Sequence, residues 1–214
     1  MRTATDRRSP AGDAGSAVTR RLIVLPAAPV LLPGLAQVAP EGVAEVLAAC
    51  DEVLGAGVAS AREVAIVSAA DHPRDLMPTG PVPPPRAEAV ADSLLDRVGY
   101  GGVRLQLRPR QRDREATTWL LMTDGSAAVG PKSPRPGPAG PTLDEALMQW
   151  LVDGELGRLM TVSDSQAQAA GCLTASVWRR LGELGGARAT CESRSTFAPF
   201  GVRYFVGQWT TEAG

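Results

Sequence analysis

Short unbroken apolar runs alternate along the chain with stretches whose apolar residues recur at helical spacing. Leu22-Ile23-Val24-Leu25 is the first such run, the pattern of a strand buried on both faces. From about Glu41, apolar positions Val43, Val46, Leu47, Cys50, Val53 and Leu54 repeat with the period of a helix, and Pro40 suits its first turn. Val64-Ala65-Ile66-Val67 is a second buried strand. Strand, helix, strand in this order predicts a βαβ unit and a largely parallel sheet.

Residues 71 to 86 break the pattern with six prolines, at 73, 78, 81, 83, 84 and 85. They form a long loop leaving the end of a strand, where α/β proteins tend to place their sites. A helix over about Ala87 to Val98 follows, with Gly99 as its stop. Val103, Leu105 and Leu107 alternate with polar residues, predicting a strand with one solvated face. Thr117 to Thr123 is a further strand, with Asp124-Gly125 as its turn.

Residues 130 to 141 read as a flexible surface loop rich in Gly and Pro. Thr142-Leu143-Asp144-Glu145 has the form of a capping box opening a helix to Asp153, with Leu143, Ala146, Leu147, Trp150 and Leu151 inward and Gly154 at its end. Two or three short helices up to about Leu184 and two strands, Arg188 to Ser193 and Val202 to Trp209, complete the chain. The expectation is one α/β domain over residues 21–210, a mostly parallel or mixed sheet flanked by helices, preceded by a disordered tail over 1–20.

Charge and cysteine usage narrow the chemistry. The formal net charge of -1 offers no global field for nucleic acid or an anionic membrane. Cys50, Cys172 and Cys191 are far apart and form no CxxC pair, which suits free thiols in a reducing cytoplasm. Arg20-Arg21 before an apolar run gives a twin-arginine export signal as the alternative, but Pro26, Pro29 and Pro33 interrupt that run. No apolar stretch reaches the roughly 18 residues that a membrane span needs.

His72 is the sole histidine, so it cannot by itself build a histidine-based metal or acid–base centre. Asp71-His72, with Asp75 nearby, is one constellation that could relay a proton, and it defines a low-ranking catalytic candidate pair. Arg104, Arg108, Arg110, Arg112 and Arg114 make a local basic cluster diluted by Asp113 and Glu115, so nucleic-acid binding there ranks low. Gly99-Tyr-Gly-Gly102 lacks dinucleotide-binding spacing and precedes a strand, and Ser126 does not sit in a nucleophile elbow.

Four segments together carry a resemblance: Pro29-Val-Leu-Leu-Pro33, Leu120-Leu-Met-Thr-Asp-Gly-Ser-Ala127, the Thr142–Leu159 helical stretch, and Ala198-Pro-Phe-Gly-Val-Arg-Tyr-Phe-Val206. In this order they resemble the B-subunit-like domain of class III extradiol ring-cleaving dioxygenases, in a divergent actinobacterial branch. That resemblance implies the family's α/β fold and an ancestral ferrous iron held by two histidines and a carboxylate, with a further histidine as acid–base catalyst. The first ligand position maps to Ala27 or Ala28 and the second to Ala70, in Ser68-Ala69-Ala70; no residue matches the carboxylate ligand or the catalytic histidine. The resemblance therefore implies a degenerate metal site without its iron and no other cofactor. An all-carboxylate site using Asp71, Asp75 or Asp124 would prefer a hard cation such as magnesium, though nothing in the spacing argues for one.

Three functional expectations follow. The first is a repurposed, non-catalytic homologue binding a small molecule or a protein in the old cleft. The second is an enzyme of different chemistry centred on Asp71 and His72. The third is a nucleic-acid-associated protein using Arg104–Arg114. Membrane attachment is not expected, and self-association is left open.

Overall fold

In the computed structural model, the described residues are 18–34, 41–69, 87–111, 116–130, 133–134 and 137–212. Six strands form one mixed sheet: β1 (Thr19–Leu25), β2 (Glu63–Ser68), β3 (Val103–Leu107), β4 (Thr118–Met122), β5 (Thr190–Phe197) and β6 (Tyr204–Glu212). Their order across the sheet is β3-β2-β4-β1-β6-β5. The first four of these run parallel to one another, β6 runs antiparallel to β1, and β5 runs antiparallel to β6.

Side chains alternate across a strand, so each central strand serves two cores. Ile23, Leu25, Val64, Ile66, Leu120 and Met122 face α1 (Val43–Val58) and α2 (Ala87–Arg97). Leu22, Val24, Ala65, Val67, Trp119 and Leu121 face α3 (Ala139–Asp153), α4 (Asp164–Ala170) and α5 (Ala175–Gly185). This two-sided burial is why these strands read as continuous apolar runs.

β1 and β4 are parallel neighbours, with Leu22 opposite Trp119 and Leu25 opposite Met122. The chain leaving β1 turns to α1 on one face, while the chain leaving β4 proceeds to α3 on the other. Adjacent parallel strands whose exits diverge to opposite faces make a topological switch point, with a crevice at their carboxyl ends.

Several boundaries differ from the sequence-based expectation. β1 begins at Thr19, inside the expected tail, because Thr19 and Arg20 pair with Glu212 and Thr211 of β6. Arg20 and Arg21 thus lie in a paired strand. The first helix starts at Val43, after Gly42 in a left-handed conformation at φ 84°; Pro40 lies outside the described residues. The third helix starts at Ala139, so Thr142 lies inside its first turn and its hydroxyl donates to the Pro138 carbonyl at 3.1 Å. There is accordingly no capping box at Thr142, and residues 139–141 are helical. Gly140 permits this early start: a Cβ there would stand 2.3 Å from Cβ of Ala128. The capping box occurs instead at α4, where the Ser163 hydroxyl accepts the Gln166 N–H and the Gln166 side chain accepts the Ser163 N–H.

No helix among the described residues is long and apolar enough to cross a membrane. The two-core arrangement predicts a sharp contrast between sites. Leu120→Ala, at a fully buried position, should lower unfolding free energy by about 2–5 kcal/mol. Arg97→Ala removes a surface pair with Asp51 whose side chains are 40% and 35% exposed, and should cost less than about 1 kcal/mol. Urea denaturation of the two variants checks both values.

Candidate functional site at the carboxyl ends of β1 and β4

The apolar run of β4 ends in Thr123 and Asp124, two polar residues in a crowded place. Thr123 continues the parallel ladder by donating its N–H to the Leu25 carbonyl at 2.9 Å. Its buried hydroxyl lies 2.7 Å from that of Thr174, just before α5. Asp124 is then fixed on every side. Its N–H donates to the Thr174 hydroxyl at 3.0 Å, and its carbonyl accepts from that hydroxyl at 3.0 Å and from the Trp178 indole N–H at 2.9 Å. The Cys172 thiol reaches the same carbonyl at 3.5 Å. Asp124 also forms an isolated antiparallel bridge with Tyr204.

The Asp124 carboxyl turns toward β1. Its Oδ1 accepts the backbone N–H of Ala27 at 3.1 Å, linking the two strand ends at the switch point. Pro26 precedes Ala27 and has no N–H of its own, so Ala27 supplies the first amide donor after β1. Burial raises the Asp124 carboxyl from 3.8 to about 7, with the Ala27 N–H pulling weakly the other way. Water withdrawn from a carboxylate penalises its charged form, and one amide does not compensate. Asp124 consequently exchanges its proton near neutrality. Burial, and then the neighbouring Asp124 charge, also push the Tyr204 phenol up.

The loop after Asp124 is locked by a second carboxylate. Asp144 of α3 accepts the Ser126 N–H at 2.8 Å and the Ser126 hydroxyl at 2.7 Å, and the Arg203 guanidinium lies 3.7 Å away. A Cβ on Gly125 would come within 2.7 Å of the Asp144 Oδ1 and 2.8 Å of the Arg203 Cβ. Only glycine therefore lets the chain turn here directly after Asp124. Ser126 is wholly buried and committed to Asp144, so it is a loop anchor and offers no exposed nucleophile.

The expected site residues fare unevenly. Asp71, His72, Asp75 and Ala70 lie outside the described residues. Ala27 is buried, 1% exposed, and it reaches the site through its backbone amide. The sequence-based assignment of Asp124-Gly125 to a plain turn is corrected: Asp124 forms a bridge with Tyr204, and its carboxyl holds the Ala27 amide. Of the positions to which the resemblance assigns the ferrous iron ligands, only the one at Ala27 or Ala28 lies among the described residues. The Ala27 methyl has no lone pair, and among the described residues no three of His, Cys, Asp and Glu come together as metal ligands. Cys172 and Cys50 are pushed up to about 12, chiefly by burial, and stay protonated, which removes thiolate chemistry from them.

Two arginines of the basic cluster are engaged within the fold. Arg104 bonds Asp96 at 2.6 Å and Asp92 at 3.3 Å, and Arg108 bonds Glu88 at 3.0 Å, all on α2. Glu88 also accepts the Ser68 hydroxyl at 3.0 Å. Arg112 and Arg114 lie outside the described residues, and Arg110 is exposed. The two arginines on β3 and at its end are thus partly neutralised, which weakens the case for a nucleic-acid surface.

No protein-family model matches this chain, and no curated protein is significantly similar to it.

The raised Asp124 carboxyl fixes a sign for stability against pH. The folded form holds its proton up to about 7, against 3.8 for the ordinary group, so this residue makes the fold lose stability as pH rises through that interval. Asp124→Asn keeps an acceptor oxygen for Ala27 and cannot ionise. Thermal denaturation should show the parent losing stability relative to Asp124→Asn between pH 4 and about 7. A constant difference between the two proteins across that range would contradict the assignment.

Proposed function

We propose that this chain is a repurposed relative of the B-subunit-like domains of class III extradiol dioxygenases, binding a small molecule in the β1/β4 crevice without ring cleavage. The observation that carries this reading is the Ala27–Asp124 contact. At the position that would hold a metal-binding histidine, a methyl group stands beside an amide that clamps a carboxyl. A fixed, half-buried acid at a switch point is a recognition group for a ligand that donates a hydrogen bond. Its anchors on Thr174 and Trp178 hold it in place before any ligand arrives, which reduces the ordering cost of binding. The free thiols, two of them buried, suit a cytoplasmic protein.

One observation favours a second reading, an enzyme of different chemistry. A carboxyl raised to about 7 can both give and take a proton at neutral pH. On that reading Asp124 would be the acid–base group, with Asp71 and His72 on the segment that follows β2.

Native mass spectrometry with metal analysis, on protein purified from its own host, separates these readings from an active dioxygenase. The expected result is a bound small molecule, no stoichiometric iron, and loss of that molecule in Asp124→Ala. Stoichiometric iron together with oxygen uptake on a catechol would contradict the proposal.

A further inference from the structure

A second polar hollow lies at the opposite, amino edge of the sheet, and it owes nothing to the crevice or to the function proposed for it. Register builds its floor. Arg21 on β1 stands opposite Thr118 on β4 and opposite Thr210 on β6. Directly opposed residues share a face of a sheet, so Arg21 is flanked on that face by two threonines. That face is the one covered by α1, since Nη1 of Arg21 donates to the Gly57 carbonyl at 2.9 Å. Ser60 and Arg62, in the turn from α1 to β2, line the same hollow of about 580 Å³, together with Glu63.

Arg62 is exposed, and no ion pair or side-chain hydrogen bond engages it among the described residues. The Nε of Arg21 is buried without a hydrogen-bond partner among them. Thr118 is only 4% exposed, and its hydroxyl can donate as well as accept. The negative end of α1 would repel an anion, but the Arg21–Gly57 contact places a positive charge against it. Among the described residues, two guanidiniums stand against one carboxylate in this hollow, in a chain whose net charge is -1.

We infer that this hollow, floored by Arg21, Thr118 and Thr210 and faced by Arg62, binds a phosphate-class oxyanion, either free or carried on an organic phosphate. Planar guanidiniums with adjacent hydroxyls match the acceptor-only oxygens of such an anion. A purely structural Arg21, present only to cap α1, would leave the hollow with no anion affinity.

Amide NMR titrations at constant ionic strength, balanced with chloride, decide between these two cases. The probes are inorganic phosphate and adenosine monophosphate. Saturable shifts are expected at Arg21, Arg62, Thr118 and Thr210, with half-saturation below roughly 10 mM. Arg62→Gln, a surface change, should weaken binding about tenfold while leaving the rest of the spectrum in place. Thr210→Val should weaken it as well; Arg21 is left intact because its loss would also uncap α1. Tighter binding of the nucleotide identifies an organic phosphate as the ligand class, and equal binding identifies the free anion; both uphold the site. Absence of saturation by either probe, or an Arg62→Gln variant binding as tightly as the parent, overturns it.

Discussion

Asp124 joins more parts of this fold than any neighbour in its loop. Its carbonyl gathers the Thr174 hydroxyl and the Trp178 indole, its carboxyl takes the Ala27 amide, and its main chain meets Tyr204. One residue therefore ties β4 to the segment after β1, to the start of β6 and to α5. Trp178 in turn packs edge-on against Phe205, with ring centres 5.3 Å apart, carrying the constraint into the core. A carboxyl in this place is costly in its charged form, and the fold tolerates it because the group can hold a proton near neutrality.

The groups at these strand ends decide what chemistry the switch point can carry. A scaffold that positions iron needs donor side chains at the ends of its parallel strands. Here the strand ends carry a methyl group, a carboxyl and a pair of hydroxyls, and the polar contacts close on one another. The switch point has the topology that favours ligand binding, and the groups described there offer hydrogen bonding and proton exchange.

Much of the fold was legible as pattern. The runs Leu22–Leu25 and Val64–Val67 announced strands buried on both faces, and the helical spacing from Val43 to Leu54 matched α1. Boundaries were less legible because distant contacts set them. Thr19 and Arg20 are strand residues only because β6 extends alongside them, and α3 starts early because Gly140 seats against Ala128. Ser163-Asp-Ser-Gln166 carried a readable capping signal, whereas the similar one at Thr142 did not form.

The site itself was the least legible part. Asp124-Gly125 has the local form of a turn, and nothing nearby in sequence announces that Ala27, Thr174, Trp178 and Tyr204 converge on it. The arginines of β3 looked available for a partner until α2 presented Glu88, Asp92 and Asp96 to them. The central claim is that the switch point holds a proton-exchanging carboxyl, Asp124. Its most direct test is a carbon-13 NMR titration of the Asp124 carboxyl, assigned by comparison with Asp124→Asn. A midpoint near 7 is expected; a midpoint near the ordinary aspartate value of about 3.9 would contradict the claim.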